Sequence, residues 1–162
     1  MRIDSGMLTV EWEAEERAEG AFLSHDHNLD FYGTVVLKMN NSKEIFDSVP
    51  ILSFIRAFSW HIAIALFTGE RVKVELLEYP TLFEVEITPA GKARLFFGGF
   101  FFEYALTQLC RSLGHLEIGI LSNFLKGPED LQSEKVTLNS SFVGEKVFEL
   151  YMQRMNPKSG DG

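Results

Sequence analysis

One cysteine, Cys110, is all the thiol this chain of 162 residues carries, so no disulfide can close within it. The first twenty residues have neither a basic n-region nor a continuous apolar stretch of the secretory kind. Together these point to a reducing, cytoplasmic setting. Long apolar runs are also missing. The longest, Phe96 to Phe102, is broken by Gly98 and Gly99 and falls far short of the roughly 20 residues that cross a bilayer, so no membrane is expected as a partner. Bases are scarce as well: 15 Lys and Arg face 23 Asp and Glu, for a net charge of −8. With no basic stripe, nucleic acid is not an expected partner either. Finally, GxGxxG, P-loop, GxSxG, HExxH and CxxC patterns are all lacking. No cofactor is therefore expected, and a catalytic role finds little support.

What is present is unevenly placed. Residues 1 to 30 hold eight acids against two bases, which is −6 of the chain's −8. Glu11, Glu13, Glu15, Glu16, Glu19, Asp26 and Asp30 make up most of that block, with Arg17 the one base among them. Such a front repels phosphate and anionic lipid and attracts basic protein surfaces. Phenylalanine is the other surplus, 15 residues against four Tyr and two Trp. Rings bury large areas at small rotamer cost, so a Phe-rich core is expected. The length suits one domain, here 1–156, with a mobile tail over 157–162.

Periodicity gives the elements. Leu8, Val10 and Trp12 alternate with Thr9, Glu11 and Glu13, the pattern of a half-buried strand over Met7–Ala14. A second strand runs from Phe31 to Met39 and stops at Asn40-Asn41-Ser42. Asp47 or Ser48 can cap a helix opened by Pro50. Its stripe is Ile51, Phe54, Ile55, Phe58, Ile62, Ala65 and Leu66, and Gly69 closes it. Arg71–Glu78, Thr81–Thr88 and Ala93–Phe97 follow as an antiparallel meander, the last two joined by a tight turn at Pro89-Ala90-Gly91-Lys92. After Gly98-Gly99 a second amphipathic helix is expected from Phe101 through Leu113, bent or ended by Gly114, with Leu116–Phe124 able to continue it. Lys126-Gly127-Pro128 stops it. Lys135–Leu138 reads as a short strand, and Ser140 or Ser141 as the cap of a last helix reaching about Arg154. The expected class is α+β, a mainly antiparallel sheet of about five to six strands with two to four helices on one face. The expected core is Val10, Trp12, Val35, Leu37, Phe54, Phe58, Ile62, Val74, Phe83, Val85, Leu95, Leu106 and Leu109.

Few residues group as chemistry would need. His25 and His27 would point the same way on an extended segment, about 7 Å apart by the strand rise, with Asp30 as an oxygen ligand. A metal-assisted hydrolase or isomerase built on His25, His27 and Asp30 is one alternative function, although a solvated turn is the preferred reading of that segment. His61 reads as a satisfied, half-buried histidine and Cys110 as an inert core thiol. His115 and Glu117 read as residues of a helix end. Glu84 and Glu86, with Glu75 and Lys73, have the spacing of a wet sheet face. The Phe96–Phe102 run reads as a core corner. Its alternative, the wall of a pocket for a small apolar ligand, gives a third function.

The reading carried forward is a non-catalytic protein-interaction module whose acidic surface receives a basic protein. Glu11, Glu13, Glu15, Glu16, Glu19, Asp26 and Asp30 would steer and pair, and Trp12 or Tyr32 would anchor. In general make-up, small, acidic and α+β, the chain resembles the immunity proteins with which bacteria neutralise nuclease or other toxins. That likeness implies an inhibitor of a basic toxin. It is one of type, and no family residue is carried over.

Overall fold

A computed structural model describes residues 1–13, 32–76 and 79–124, together with Glu149, Met152 and Gln153, which are helical. Four antiparallel strands come first: β1 (Arg2–Asp4), β2 (Leu8–Glu11), β3 (Tyr32–Met39) and β4 (Ser42–Pro50), paired in that order. The helix α1 (Ile51–Thr68) follows. The same order then recurs, with β5 (Val72–Val74), β6 (Phe83–Ile87), β7 (Lys92–Phe96) and β8 (Phe101–Ala105) as a second antiparallel meander and α2 (Leu106–Phe124) as its helix. The class is α+β. The single sheet of five to six strands is replaced by two sheets of four.

Local chemistry accounts for the departures. Asp4-Ser5-Gly6 makes a turn that the sequence reading passed over: Gly6 takes a left-handed φ of 91°, its amide donates to Asp4 Oδ1, and Ser5 donates to the Leu8 carbonyl. This adds β1 ahead of β2, and the expected strand over Met7–Ala14 is found as Leu8–Glu11, with Ala14 outside the described residues. Asn40 adopts φ 54°, which Asn tolerates, so Met39 pairs with Ser42 and the chain returns as β4 rather than leaving the sheet. Asp47 therefore lies in a strand, where it accepts from Thr34 Oγ1 at 2.7 Å and from the Ser48 amide at 3.0 Å. Pro50 is itself the N-cap of α1, without a side-chain cap bond. Gly69 closes α1 at φ 70°, donating to the Ala65 carbonyl.

Gly98, at φ 75°, and Gly99 form a hairpin, not a strand-to-helix corner, for the Phe97 amide donates to the Phe100 carbonyl and Phe96 pairs with Phe101. Phe101 to Ala105 is thus strand, and the helix waits until Leu106. α2 runs through Gly114 and Gly119 without ending. At Gly119 a reason is visible: a Cβ there would meet Ile3 Cδ1 at 3.0 Å, so the missing side chain lets α2 approach β1. The expected strand Lys135–Leu138 and the tail 157–162 lie outside the described residues. So does the last helix, apart from Glu149, Met152 and Gln153.

The two sheets and two helices share one core. α1 packs on β3 and β4 of the first sheet and on β5 and β6 of the second, α2 packs on β1, β2, β7 and β8, and the helices touch each other. All thirteen expected core residues are buried. At the centre, Phe58 meets Phe83 edge-on at 4.9 Å, and Phe54 lies 5.2 Å from Phe46. Phe97 joins Phe83 to Phe102 at 5.5 and 5.1 Å. Part of the Phe surplus is thus a connected ring cluster between the sheets, while Phe67, Phe100 and Phe101 are exposed. α1 is long and apolar enough by composition to span a membrane, but more than half of it is covered by this packing, as for a core helix.

Candidate protein interface

The outer face of the first sheet gathers the charges. Pairing sets Arg2 opposite Glu11, Asp4 opposite Thr9, and Glu11 opposite Thr34, on the side of the sheet away from the half-buried Ile3 and the buried Val10 and Val35, although Thr9 itself is covered. Arg2 contacts Asp4 at 3.2 Å and Glu11 at 3.4 Å, and Lys38 reaches Asp4 at 3.3 Å. Asp4 is held well below the usual carboxylate range, at about 2, first by the Gly6 amide it accepts from and then by Lys38 and Arg2. Arg2 and Lys38 are thereby paired at the β1 side of this face. At the other end Glu13 is exposed, two residues beyond Glu11, and Tyr32 is 66% exposed, two residues before Thr34. An acid and an aromatic ring thus stand together at one end of the β2–β3 pair.

Of the residues proposed to meet a partner, Glu11, Glu13 and Tyr32 are on the surface. Glu15, Glu16, Glu19, Asp26 and Asp30, and with them His25 and His27, lie outside the described residues. Trp12 is only 7% exposed: it continues the Leu8 and Val10 side of β2 into the core, so its role is packing and not anchoring. Among the described residues no three His, Cys, Asp or Glu side chains are grouped to hold a metal.

The remaining candidates sort by burial. His61 Nδ1 lies 2.6 Å from the Ala57 carbonyl one turn back, a locally satisfied ring. Cys110 is buried, and burial pushes its thiol up to about 12, so it offers little thiolate near neutrality. The Glu75, Glu84 and Glu86 face is wet as expected, and is laced by Arg71 to Glu84 at 3.7 Å and Arg94 to Glu103 at 2.8 Å. Arg71 also lies 3.6 Å over the Phe96 ring. Two features escaped the sequence reading. Glu117 is no helix-end residue but a fully buried carboxylate in α2, meeting Arg56 of α1 at 3.2 Å. Ile45 is 51% exposed on the outer face of β4, between Lys43 and Asp47. The period-two run Lys43, Ile45, Asp47 was a legible signal for that strand.

In comparisons with protein-family models, with curated proteins and with solved structures, nothing matches this chain.

Proposed function

We propose that this chain is a cytoplasmic, non-catalytic protein-interaction module whose acidic surface receives a basic protein, as an immunity-type inhibitor receives a toxin. The observation that supports this reading is the exposed Tyr32 beside Glu13 and Glu11 at one end of the first sheet, on the side of the chain where residues 1 to 30 concentrate −6 of its −8 charge. Exposed acids raise encounter rates with a basic surface, and an amphipathic ring that is already on the surface supplies contact area with few rotors to freeze.

The test takes a basic partner captured by pull-down with the wild-type chain and follows binding to it in real time. Replacing Glu13, Glu15, Glu16 and Asp26 by their amides should slow association on the order of tenfold at low salt. The difference should vanish as the screening length drops below about 10 Å, near 0.1 M salt and above. Tyr32→Ala should act instead on dissociation. Equal association rates for the wild-type and amide variants at low salt would remove this reading.

A further inference from the structure

Edges decide what a sheet can pair with, and the two sheets here leave unequal ones. β1 and β5 are three residues each. The β8 edge is engaged, since the Glu103 amide meets Met39 Sδ at 3.0 Å. Among the described residues β4 is the longest strand at nine residues, it ends the order of its sheet and only β3 pairs with it; near its end the Ser48 carbonyl accepts from the Tyr79 hydroxyl at 3.1 Å, beyond the Lys43–Asp47 stretch. Such an edge is a row of backbone donors and acceptors ready for another strand, and proteins normally blunt it with charge.

The charges on β4 have a different pattern. Lys43, Ile45 and Asp47 stand on one face, exposed, at a spacing of two. Asp47 is fixed there by Thr34 Oγ1 and by the Ser48 amide. An antiparallel strand of the same sequence centred on Ile45 would set Lys43 of each copy opposite Asp47 of the other, and the two Ile45 side chains face to face. Cross-strand opposite charges and apolar pairs are the favourable combinations. The backbone ladder can form whichever set of alternate residues points outward, because a twofold axis through one residue is compatible with both. The contact uses the same edge on both copies, so it closes at two and does not propagate.

We infer that the β4 edge joins two copies of this chain in antiparallel register about Ile45, making one continuous eight-stranded sheet. The occupant is a second copy because the edge is complementary in charge to itself, in a chain whose net −8 otherwise sets copies apart.

Light scattering of the purified chain, from micromolar to millimolar concentration at low salt, tests this. The wild-type mass should rise to twice 18.4 kDa. Lys43→Glu sets carboxylate against carboxylate across the axis, Asp47→Lys sets ammonium against ammonium, and each alone should remain at 18.4 kDa. Mixed together, the two variants become complementary, and the doubled mass should return as a heterodimer. Should Asp47→Lys lose its fold by circular dichroism, Ile45→Lys on the exposed face supplies the second repulsive variant, expected at the monomer mass. A wild-type chain that stays at the monomer mass into the millimolar range overturns the inference, as does a Lys43→Glu chain that keeps the doubled mass. Two folded charge variants whose mixture fails to pair would overturn it equally.

Discussion

At the scale of single residues the ring cluster carries the largest penalties. Phe58 is fully buried and touches Phe54 and Phe83, one ring on its own helix and one from the second sheet. Phe58→Ala should cost about 3 to 5 kcal/mol, transfer and cavity terms together, read from urea unfolding. The Arg56 and Glu117 pair behaves differently. Glu117 is fully buried while Arg56 keeps a third of its side chain in water. Arg56→Ala strips a partner from a buried carboxylate, and about 3 kcal/mol, the lower end for such a break, is expected because water reaches the site from the arginine side. Replacing both by Leu should recover most of that loss. If the double variant is no more stable than Arg56→Ala, the pair is not what holds Glu117.

Titration adds a signed expectation. Asp4 is depressed in the folded chain to about 2 from 3.8, so it favours folding above about 3.8 and loses that contribution as pH falls toward 2. Cys110, raised to about 12 from 9.0, works in the other direction: its contribution is complete below 9.0 and is lost as pH climbs toward 12. Burial also raises Tyr104, whose hydroxyl donates to the Lys38 carbonyl at 2.6 Å. Urea midpoints should therefore decline on both flanks, and Asp4→Asn should flatten the acid flank alone. The buried Cys110 thiol should react with a disulfide reagent only as fast as the chain opens.

At the scale of elements, Gly33 is the tightest point. It sits where β3 slips register against β4, and a Cβ there would collide with the Glu11 carbonyl oxygen and lie 2.5 Å from Ile51 Cδ1. Gly33→Ala should cost about 1 to 3 kcal/mol by overpacking and should loosen the β2–β3 pairing, seen as faster amide exchange at Thr9, Glu11, Thr34 and Val36, whose amides face the partner strand in this register. Nothing in the residues around Gly33 announces this, because the approach is made by chain distant in sequence. Where the determinants are local, the sequence was legible: α1 with its Gly69 stop, β6 and β7 with the turn at Gly91, and the core stripe all follow from period and punctuation. Where one segment satisfies two periods it misled. Phe101, Phe102, Leu106, Leu109 and Cys110 fit a helix, while Phe102 and Tyr104 also alternate with Phe101 and Glu103, and pairing with β7 settled the matter for strand. The acidic end of the first sheet was legible by charge count. The β4 edge was missed although its period of two was there to read, because Asp47 was read as a helix cap and its strand went unrecognised.

At the scale of the molecule, the two meander-and-helix halves look separable along the chain and are not separable in packing. α1 belongs by sequence to the first half and packs on β5 and β6, while α2 belongs to the second and packs on β1 and β2. Each half thus borrows a helix face from the other. Cutting after Gly69 would expose Phe54 and Phe58, which rest on Phe83, and would leave β1 and β2 without α2, whose Gly119 lies against Ile3 and whose Ser112 donates to the Ser5 carbonyl. Apolar surface of that extent is poorly tolerated in water. The fragment 1–69 should accordingly fail to fold, showing neither a cooperative melt nor dispersed amide resonances. In the full chain both tryptophans, Trp12 and Trp60, lie in the first half, and in a Tyr32→Phe background the remaining tyrosines, Tyr79, Tyr104 and Tyr151, all lie after Gly69. The unfolding of the two halves, followed by tryptophan fluorescence and by near-ultraviolet circular dichroism in the tyrosine band, should give one midpoint, as a single cooperative unit requires. Two separated midpoints would mean that the helix exchange between halves is too weak to couple them.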